Sequence, residues 1–372
     1  MRVSRLELTD FRNYEHLVVE FPAGTSVLLG PNGQGKTNIV EAVAYLATFS
    51  SHRVANDTAL VRAGCDRAVI RSLVENDRTI GLDVQINPGR ANRLQVNRAP
   101  VRRARDALGI VRAVMFAPED LSLVKGDPAA RRRFLDQLLV QTNPRYVSVM
   151  ADYDKTIKQR NSLLRSAAKS HSSLERETLQ STLDVWNDRL VQFGADIVAG
   201  RLEVLDRIAG PTADSYALLA AARNDVKMTY VAARMPELRD DVGQRMREAL
   251  VNVRSEELVR GVTLLGPHRD DVDLNLNGLP ARGYASHGES WSLALALRLA
   301  SYEVLRDEQS GEPILILDDV FAELDQQRRE RLAQAAAGSH GQVLITAAVS
   351  GDVPEALSGV RFSVDSGAIV QG

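Results

Sequence analysis

The sequence predicts an α/β protein whose phosphate-loop core is split by a helical insertion, and three observations carry that expectation. The apolar run Val27-Leu28-Leu29 stops at Gly30, passes through a loop of small and polar residues, and resumes as a helix. A second bare apolar run, Pro313-Ile314-Leu315-Ile316-Leu317, ends in Asp318 and Asp319. Between the two, from about Pro128, the hydrophobic spacing changes from strand-like to helical.

The N-terminal stretch MRVSRLELTDF alternates charged and apolar residues as a strand does, and it lacks the apolar centre of a signal peptide. HLVVEF gives a second strand. The loop Gly30-Pro31-Asn32-Gly33-Gln34-Gly35-Lys36-Thr37 then fits G-x-x-x-x-G-K-[ST] at every fixed position. The spacing has a chemical reason. Three glycines let consecutive N–H groups turn inward around a phosphate, and the helix that follows points its positive end there. Lys36 is expected to reach the β- and γ-phosphates, and the Thr37 hydroxyl to ligate Mg²⁺. RAVIRSLVE, TIGLDVQI and RLQVN continue the strand pattern, with Asn87-Pro88-Gly89 as a turn.

Residues 128–257 read as a compact helical arm, with 1–127 and 258–372 forming the head. Leu179, Leu183, Trp186, Leu190, Phe193 and Ile197 follow one another in steps of four and three, and so do Tyr146, Met150, Tyr153 and Ile157. Both are short coiled-coil-like seams. Pro144, Gly194, Gly200 and Gly210-Pro211 punctuate the region. Periodicity alone does not separate a working arm from an ordinary helical subdomain. Strands return at VTLLG and VDLNLNG, a helix at SWSLALALRLASYEVLR, then the strand PILILDD, a helix and the strand QVLITA.

Composition narrows the function classes. At 372 residues with a formal net charge of −2, any nucleic-acid surface must be a local patch. The single cysteine, Cys65, excludes an intrachain disulfide and a cysteine metal cluster, and fits a reducing cytosol. The sequence has no apolar run long enough to span a membrane.

A buried parallel strand that delivers a carboxylate at its C-terminal end is what a Mg²⁺-nucleotide site requires. Asp318 is expected to hold Mg²⁺, directly or through water, and Asp319 to orient or deprotonate an attacking water. A strand ending in a polar turn is the plainer alternative. Ser286-His287-Gly288-Glu289 opens the helix that contains Trp291. That corner is either a second anion site or a plain capping box with Ser286 at the N-cap.

Together with Ala322 to Asp325 (AELD), these motifs look like the ATPase head of the ABC superfamily. Within it, the chain resembles the RecF family of bacterial recombination mediators, related to Rad50 and SMC heads. The matches are LTDFRNY at 8–14, GPNGQGKTN at 30–38, SHR at 51–53, FAPEDLSLVKGDPAARRRFLD at 116–136, KQRNSLL at 158–164, LLGPHRDD at 264–271 and LDDVFAELD at 317–325. The resemblance implies an ABC-type head with an α/β core, an antiparallel β subdomain and an inserted helical arm. It implies ATP and Mg²⁺ sandwiched in an ATP-dependent homodimer. Gly30 to Asn38 would cradle ATP, with Arg12 and Asn13 beside it. Ser286, Gly288 and Glu289 would act in trans, and Asp325 would lie at the dimer seam. It further implies a cytoplasmic, nucleoid-associated protein that binds DNA at single-strand gaps or junctions, helps load recombinase with RecO- and RecR-like partners, and hydrolyses ATP weakly under DNA stimulation.

Several positions depart from the wider superfamily. Asp319 stands where transporter ATPases carry glutamate, and a carboxylate set back by about 1 Å can cost on the order of a hundredfold in rate. Slow hydrolysis suits a switch. Met115 to Asp120 occupies the Q-loop region, with Glu119 as a stand-in for glutamine, and Ala347 and Ala348 replace the switch histidine. His287 is given no catalytic role. These absences count against a transport ATPase. The helical segment is far shorter than the coiled coil of a chromosome-organising SMC head, and a metabolite kinase leaves the Ser286 corner unexplained.

Seven arginines and one aspartate lie between Arg90 and Arg112; ten basic and four acidic residues lie between Lys125 and Lys169, including Arg131-Arg132-Arg133, Lys155, Lys158, Arg160 and Arg165. They contact DNA phosphates, or they form solvated faces and internal ion pairs; Arg131 to Arg133 alternatively tie the arm to the head.

Overall fold

The computed structural model describes residues 1–54, 56–169, 173–221, 224–235, 241–308 and 311–372, with backbone alone at 169 and 173–180. Leu179 and Lys169, both named above, therefore have side chains outside the described residues.

The chain opens with an antiparallel pair, β1 (Arg2–Phe11) and β2 (Tyr14–Glu20). A register shift between Val3 and Arg5 lets Val3 share the buried face with Leu6 and Leu8, although the spacing is odd. β3 (Thr25–Leu29) leads into the glycine loop and α1 (Lys36–Thr48). A meander follows: β4 (Ala68–Glu75), β5 (Thr79–Ile86), β6 (Arg93–Val96) and β7 (Ala99–Val101). These strands form an antiparallel sheet in the order β2-β1-β4-β5-β6-β7.

β8 (Ala113–Phe116) precedes the helices α2 (Leu121–Lys125), α3 (Pro128–Thr142), α4 (Tyr146–Lys169) and α5 (Ser173–Ala220). Then come β9 (Val226–Val231), α6 (Val242–Arg260), β10 (Asp271–Leu276), β11 (Leu279–Pro280), the single turn α7 (Ala281–Tyr284) and α8 (His287–Arg306). β12 (Ile314–Asp318), α9 (Gln326–Ala337), β13 (Val343–Ala347), β14 (Val360–Asp365) and β15 (Ala368–Gln371) finish the chain. The central sheet runs β15-β14-β3-β13-β12-β8, parallel except for β15.

Alternation within the central strands sorts its two faces. Leu28, Ile314, Ile316 and Leu344 join α1 and the antiparallel sheet in one core. Val27, Leu315, Leu317 and Ile345 join α8, α9, α3 and the second half of α5 in another. A smaller cluster around Tyr153, Leu190, Ile197, Met246 and Val253 is the arm's own core. The α/β head with its antiparallel β layer and inserted helices is thus the architecture the sequence predicts.

Three local expectations change. Gly194, Gly200, Gly210 and Pro211 do not break the arm, because α5 runs through all of them. A Cβ on Gly194 would stand 2.7 Å from Met246 Cε, and one on Gly200 would stand 2.7 Å from the Tyr146 ring, so these glycines admit close helix neighbours. Gly210 lacks the Cβ that the Pro211 ring would crowd. VTLLG is not a strand. Arm side chains satisfy its backbone: Thr263 N–H donates to Asn161 Oδ1 at 2.7 Å and Leu264 N–H to Glu257 Oε1 at 2.8 Å. Finally, 128–257 is not helical throughout. β9 lies inside it and pairs with β10.

Candidate nucleotide site

β3 lies between β13 and β14, so its C-terminal end opens at the middle of the parallel sheet. The turn that follows needs glycine: φ is +157° at Gly30, +83° at Gly33 and +106° at Gly35. A side chain on Gly30 would collide with the Val364 carbonyl. Gly35 is the N-cap of α1 and offers no capping side chain, and the first turn of α1 carries no acidic residue. The free N–H groups and positive end of α1 thus face the loop. Pro31, Asn32 and Gly33 are exposed at its rim. Gln34 anchors it, with Oε1 accepting the Ser366 N–H at 2.6 Å.

Lys36 is 5% exposed, and its ammonium donates to the Gly30 carbonyl at 2.6 Å and the Pro31 carbonyl at 3.0 Å. Burial lowers its pKa, while Asp319 and Asp318 act in the opposite sense. Thr37 Oγ1 donates to Asp318 Oδ1 at 3.0 Å, and Thr346 Oγ1 donates to the same oxygen at 2.6 Å. Burial pushes the Asp318 carboxyl up to about 6 against those two bonds. Asp319, next in line, is half-buried with φ +54°, and its N–H donates to Thr346 Oγ1 at 3.0 Å. Loop, hydroxyl and both carboxylates come together as the sequence implies. Thr346, which the sequence reading left aside, fixes Asp318 and Asp319 at once.

Arg12 and Asn13 form the turn between β1 and β2 on the flank of the loop. Asn13 Oδ1 accepts from Asn38 Nδ2 at 2.7 Å. The Arg12 guanidinium is committed to Glu41, with bonds of 2.8 and 2.6 Å, and to the Ala59 carbonyl. Glu41 is fully buried on α1 and also accepts from Ser51 at 2.6 Å and Arg53 at 3.4 Å. Burial pushes its carboxyl up, but the Arg12 and Ser51 bonds and the Arg12 charge outweigh this and hold it below its ordinary value. Sequence reasoning missed Glu41; the signal was one carboxylate inside the apolar helix NIVEAVAYLA. Arg53 reaches toward Glu119 at 3.8 Å.

A second cluster has its own bonds. Ser286 caps α8, accepting from the Glu289 N–H at 3.2 Å while Glu289 Oε2 accepts from the Ser286 N–H at 2.8 Å. These bonds hold the Glu289 carboxyl below its ordinary value. The capping box is real, and Ser286 is exposed. Arg328 ties Asp325 to this corner: it pairs with the Asp325 carboxylate, donates to Ser292 Oγ at 3.0 Å, and lies where a Cβ on Gly288 would be 2.8 Å from its Nη2.

The RecF/RecN/SMC N terminal domain model matches residues 2–368. The DNA replication and repair protein RecF of Streptomyces avermitilis is 50% identical over 373 residues, covering 99% of each chain. The chain belongs to the RecF family. A solved structure of the recombination mediator protein RecF with ATP, of the RecFOR pathway, superposes with a TM-score of 0.88 at 25% identity, covering 99% of this chain and 97% of that one. The Smc head of Pyrococcus furiosus shares the fold alone, with a TM-score of 0.54 at 15% identity.

The basic residues of this RecF-family chain divide. Arg131 is 6% exposed, pairs with both Asp271 oxygens at 2.7 and 2.9 Å, and donates to the Leu123 and Gly126 carbonyls. Arg132 donates to the Asp270 carbonyl and Arg133 to the His52 carbonyl. Arg160 is bound to buried Glu257, and Arg112 to the carbonyls of Leu305 and Gly311. Arg131, Arg132, Arg160 and Arg112 hold helices, strands and loops to one another, which corrects their candidacy for DNA, whereas Arg133 is exposed. Arg90, Arg93, Arg98, Arg102 and Arg103, around β6 and β7, and Lys155, Lys158 and Arg165, on α4, are exposed. Among the described residues, no helix is long and apolar enough to cross a membrane.

Proposed function

We propose that the chain is a cytoplasmic, nucleoid-associated ATP-switched DNA clamp of recombinational repair. It binds ATP, dimerises on it, holds DNA at single-strand gaps or junctions and assists recombinase loading beside RecO- and RecR-like partners. The observation that carries the reading is the uncapped α1 behind three positive-φ glycines, with Thr37 bonded to Asp318 across the site. The relatives are DNA replication and repair proteins, and a structural neighbour holds ATP, which supports the same reading.

Thr37 and Asp318 offer hard oxygen ligands 3.0 Å apart, the donor set Mg²⁺ takes when phosphates complete its shell. Mg²⁺ held by these residues would supply neutralisation of developing phosphate charge. In this reading Lys36 leaves the Gly30 and Pro31 carbonyls for the β- and γ-phosphates, and Asp319 orients the attacking water. The short carboxylate of Asp319 makes hydrolysis a slow timer, stimulated by DNA. Ser286, Gly288 and Glu289 complete the partner protomer's site, with Asp325 at the seam. The head is assigned to 1–127 and 258–372 and the arm to 128–257. In that division the cluster around Tyr153 and Met246 is the lever, and α3 with the second half of α5 is its root in the head.

Two substitutions test this. Lys36→Ala removes a charge-assisted bond and weakens ATP binding about tenfold to a hundredfold, read by calorimetric titration of a folded variant. Asp319→Asn keeps ATP affinity and lowers turnover by about 10² to 10⁴, prolonging the dimer. Unchanged affinity in Lys36→Ala defeats the phosphate-loop assignment; unchanged turnover in Asp319→Asn assigns the water to another residue.

A further inference from the structure

Tyr14 is 1% exposed, and its hydroxyl is buried without a hydrogen-bond partner. Buried hydroxyls are ordinarily paired, because an unmade bond leaves the full desolvation cost standing. This hydroxyl lies against the glycine loop: a Cβ on Gly35 would stand 2.5 Å from it. The neighbouring Asn13 amide approaches the same glycine, at 2.7 Å from that Cβ, and donates to the Gln34 carbonyl at 3.5 Å. The turn after β14 closes the other side, where the Ser366 N–H holds the Gln34 side chain at 2.6 Å. Two polar grips on the loop are thus made, and a third group, the phenol, is in place without its bond.

We propose that Tyr14 is a positioning residue for nucleotide binding, whose hydroxyl donates to a backbone carbonyl of segment 33–35 once Lys36 is drawn to a phosphate. Lys36 now holds the loop through the Gly30 and Pro31 carbonyls. Moving the ammonium releases both, and the loop is free to settle on Tyr14. A bond gained at Tyr14 offsets those lost at Lys36, so the phenol favours the loaded loop. Burial raises the phenol's pKa well above its ordinary value, so it remains a donor at neutral pH. The inference rests on the nucleotide reading above.

Tyr14→Phe keeps the ring and removes only the unpaired oxygen. The loop contact concerns phosphates shared by ATP and ADP, so calorimetric titration should show the Kd of both rising about tenfold. The Tm without nucleotide should stay or rise. In turnover, KM should rise while kcat at saturating ATP is kept, a split that a merely structural residue does not give. Unchanged Kd values overturn the proposal. So does a lower Tm without nucleotide, which means the hydroxyl is already bonded in that state. Lys36→Ala run in parallel separates the two readings. If it binds ATP normally, the nucleotide reading falls; if it loses ATP while Tyr14→Phe binds as wild type does, only the role of Tyr14 falls.

Discussion

Asp270 is fully buried where the arm meets the head, accepting from Tyr230 Oη on β9 at 2.8 Å and from the Ala233 N–H at 2.8 Å. Arg201 of α5 and Arg132 of α3 face it with positive charge, yet burial pushes its carboxyl up to about 6. The folded value thus exceeds the ordinary one of about 3.9, so between those pH values the folded chain binds the extra proton. The associated stability is fully present below about pH 4 and is lost as pH rises through about 6. Asp270→Asn carries no such loss. Its stability relative to wild type should climb by about 1–3 kcal/mol between pH 4 and 7, read from urea unfolding of both proteins across pH. A difference flat with pH would mean that Arg201 and Arg132 fully compensate the charge. Such residues show what a sequence can display one at a time. Lys36 and Thr37 were legible from the fixed spacing of the glycine loop, and Asp318 and Asp319 from a bare apolar run that ends in two carboxylates. Glu41, Thr346, Arg328 and Asp270 were not, because their roles come from partners far along the chain.

At the level of elements, β1 to β6, α1, β10, α8, β12, α9 and β13 were legible from alternation, from bare apolar runs bounded by turns, or from their place between such runs. β7, β8, β9, β11, β14 and β15 escaped notice. All lie at or next to a sheet edge; β8 is buried but only four residues long, and the exposed residues of the others give little hydrophobic contrast. The glycines of α5 misled for a different reason: locally they weaken a helix, and only packing reveals their use. Gly200 faces the Tyr146 ring and Leu139, whose Cδ1 would be 3.0 Å from an added Cβ. Helix propensity alone says that Gly200→Ala gains about 1 kcal/mol. Overpacking a buried ring costs about 1–3 kcal/mol, and Tyr146 is 5% exposed with little room to yield. Net destabilisation is therefore expected, seen as a lower urea midpoint at unchanged slope. A stabilised variant would show that α5 passes Tyr146 loosely and that propensity alone governs the site.

For the whole molecule, the proposed clamp makes nucleotide, assembly and DNA affinity move together. Each DNA phosphate neutralised contributes about −0.9 to the slope of log affinity against log salt. If ATP joins two heads, their exposed basic surfaces combine, so ATP should tighten DNA binding and steepen that slope in the same titration. The side chains that carry the slope should be the exposed arginines around β6 and β7: replacing Arg90, Arg93, Arg98, Arg102 and Arg103 with alanine should flatten it and leave Tm nearly unchanged. Arg131→Ala should do the reverse, lowering Tm through its broken pair with Asp271 while the remaining folded protein keeps its salt slope. Ser286→Arg supplies the control for assembly. It sets a bulky cation at an exposed helix corner, so a protomer should still bind ATP through its own loop. Gel filtration should nevertheless find it monomeric with ATP, and its DNA slope should stay shallow. DNA affinity indifferent to ATP, or a Ser286→Arg protein that dimerises and hydrolyses as wild type does, would sink the clamp while leaving the nucleotide site untouched.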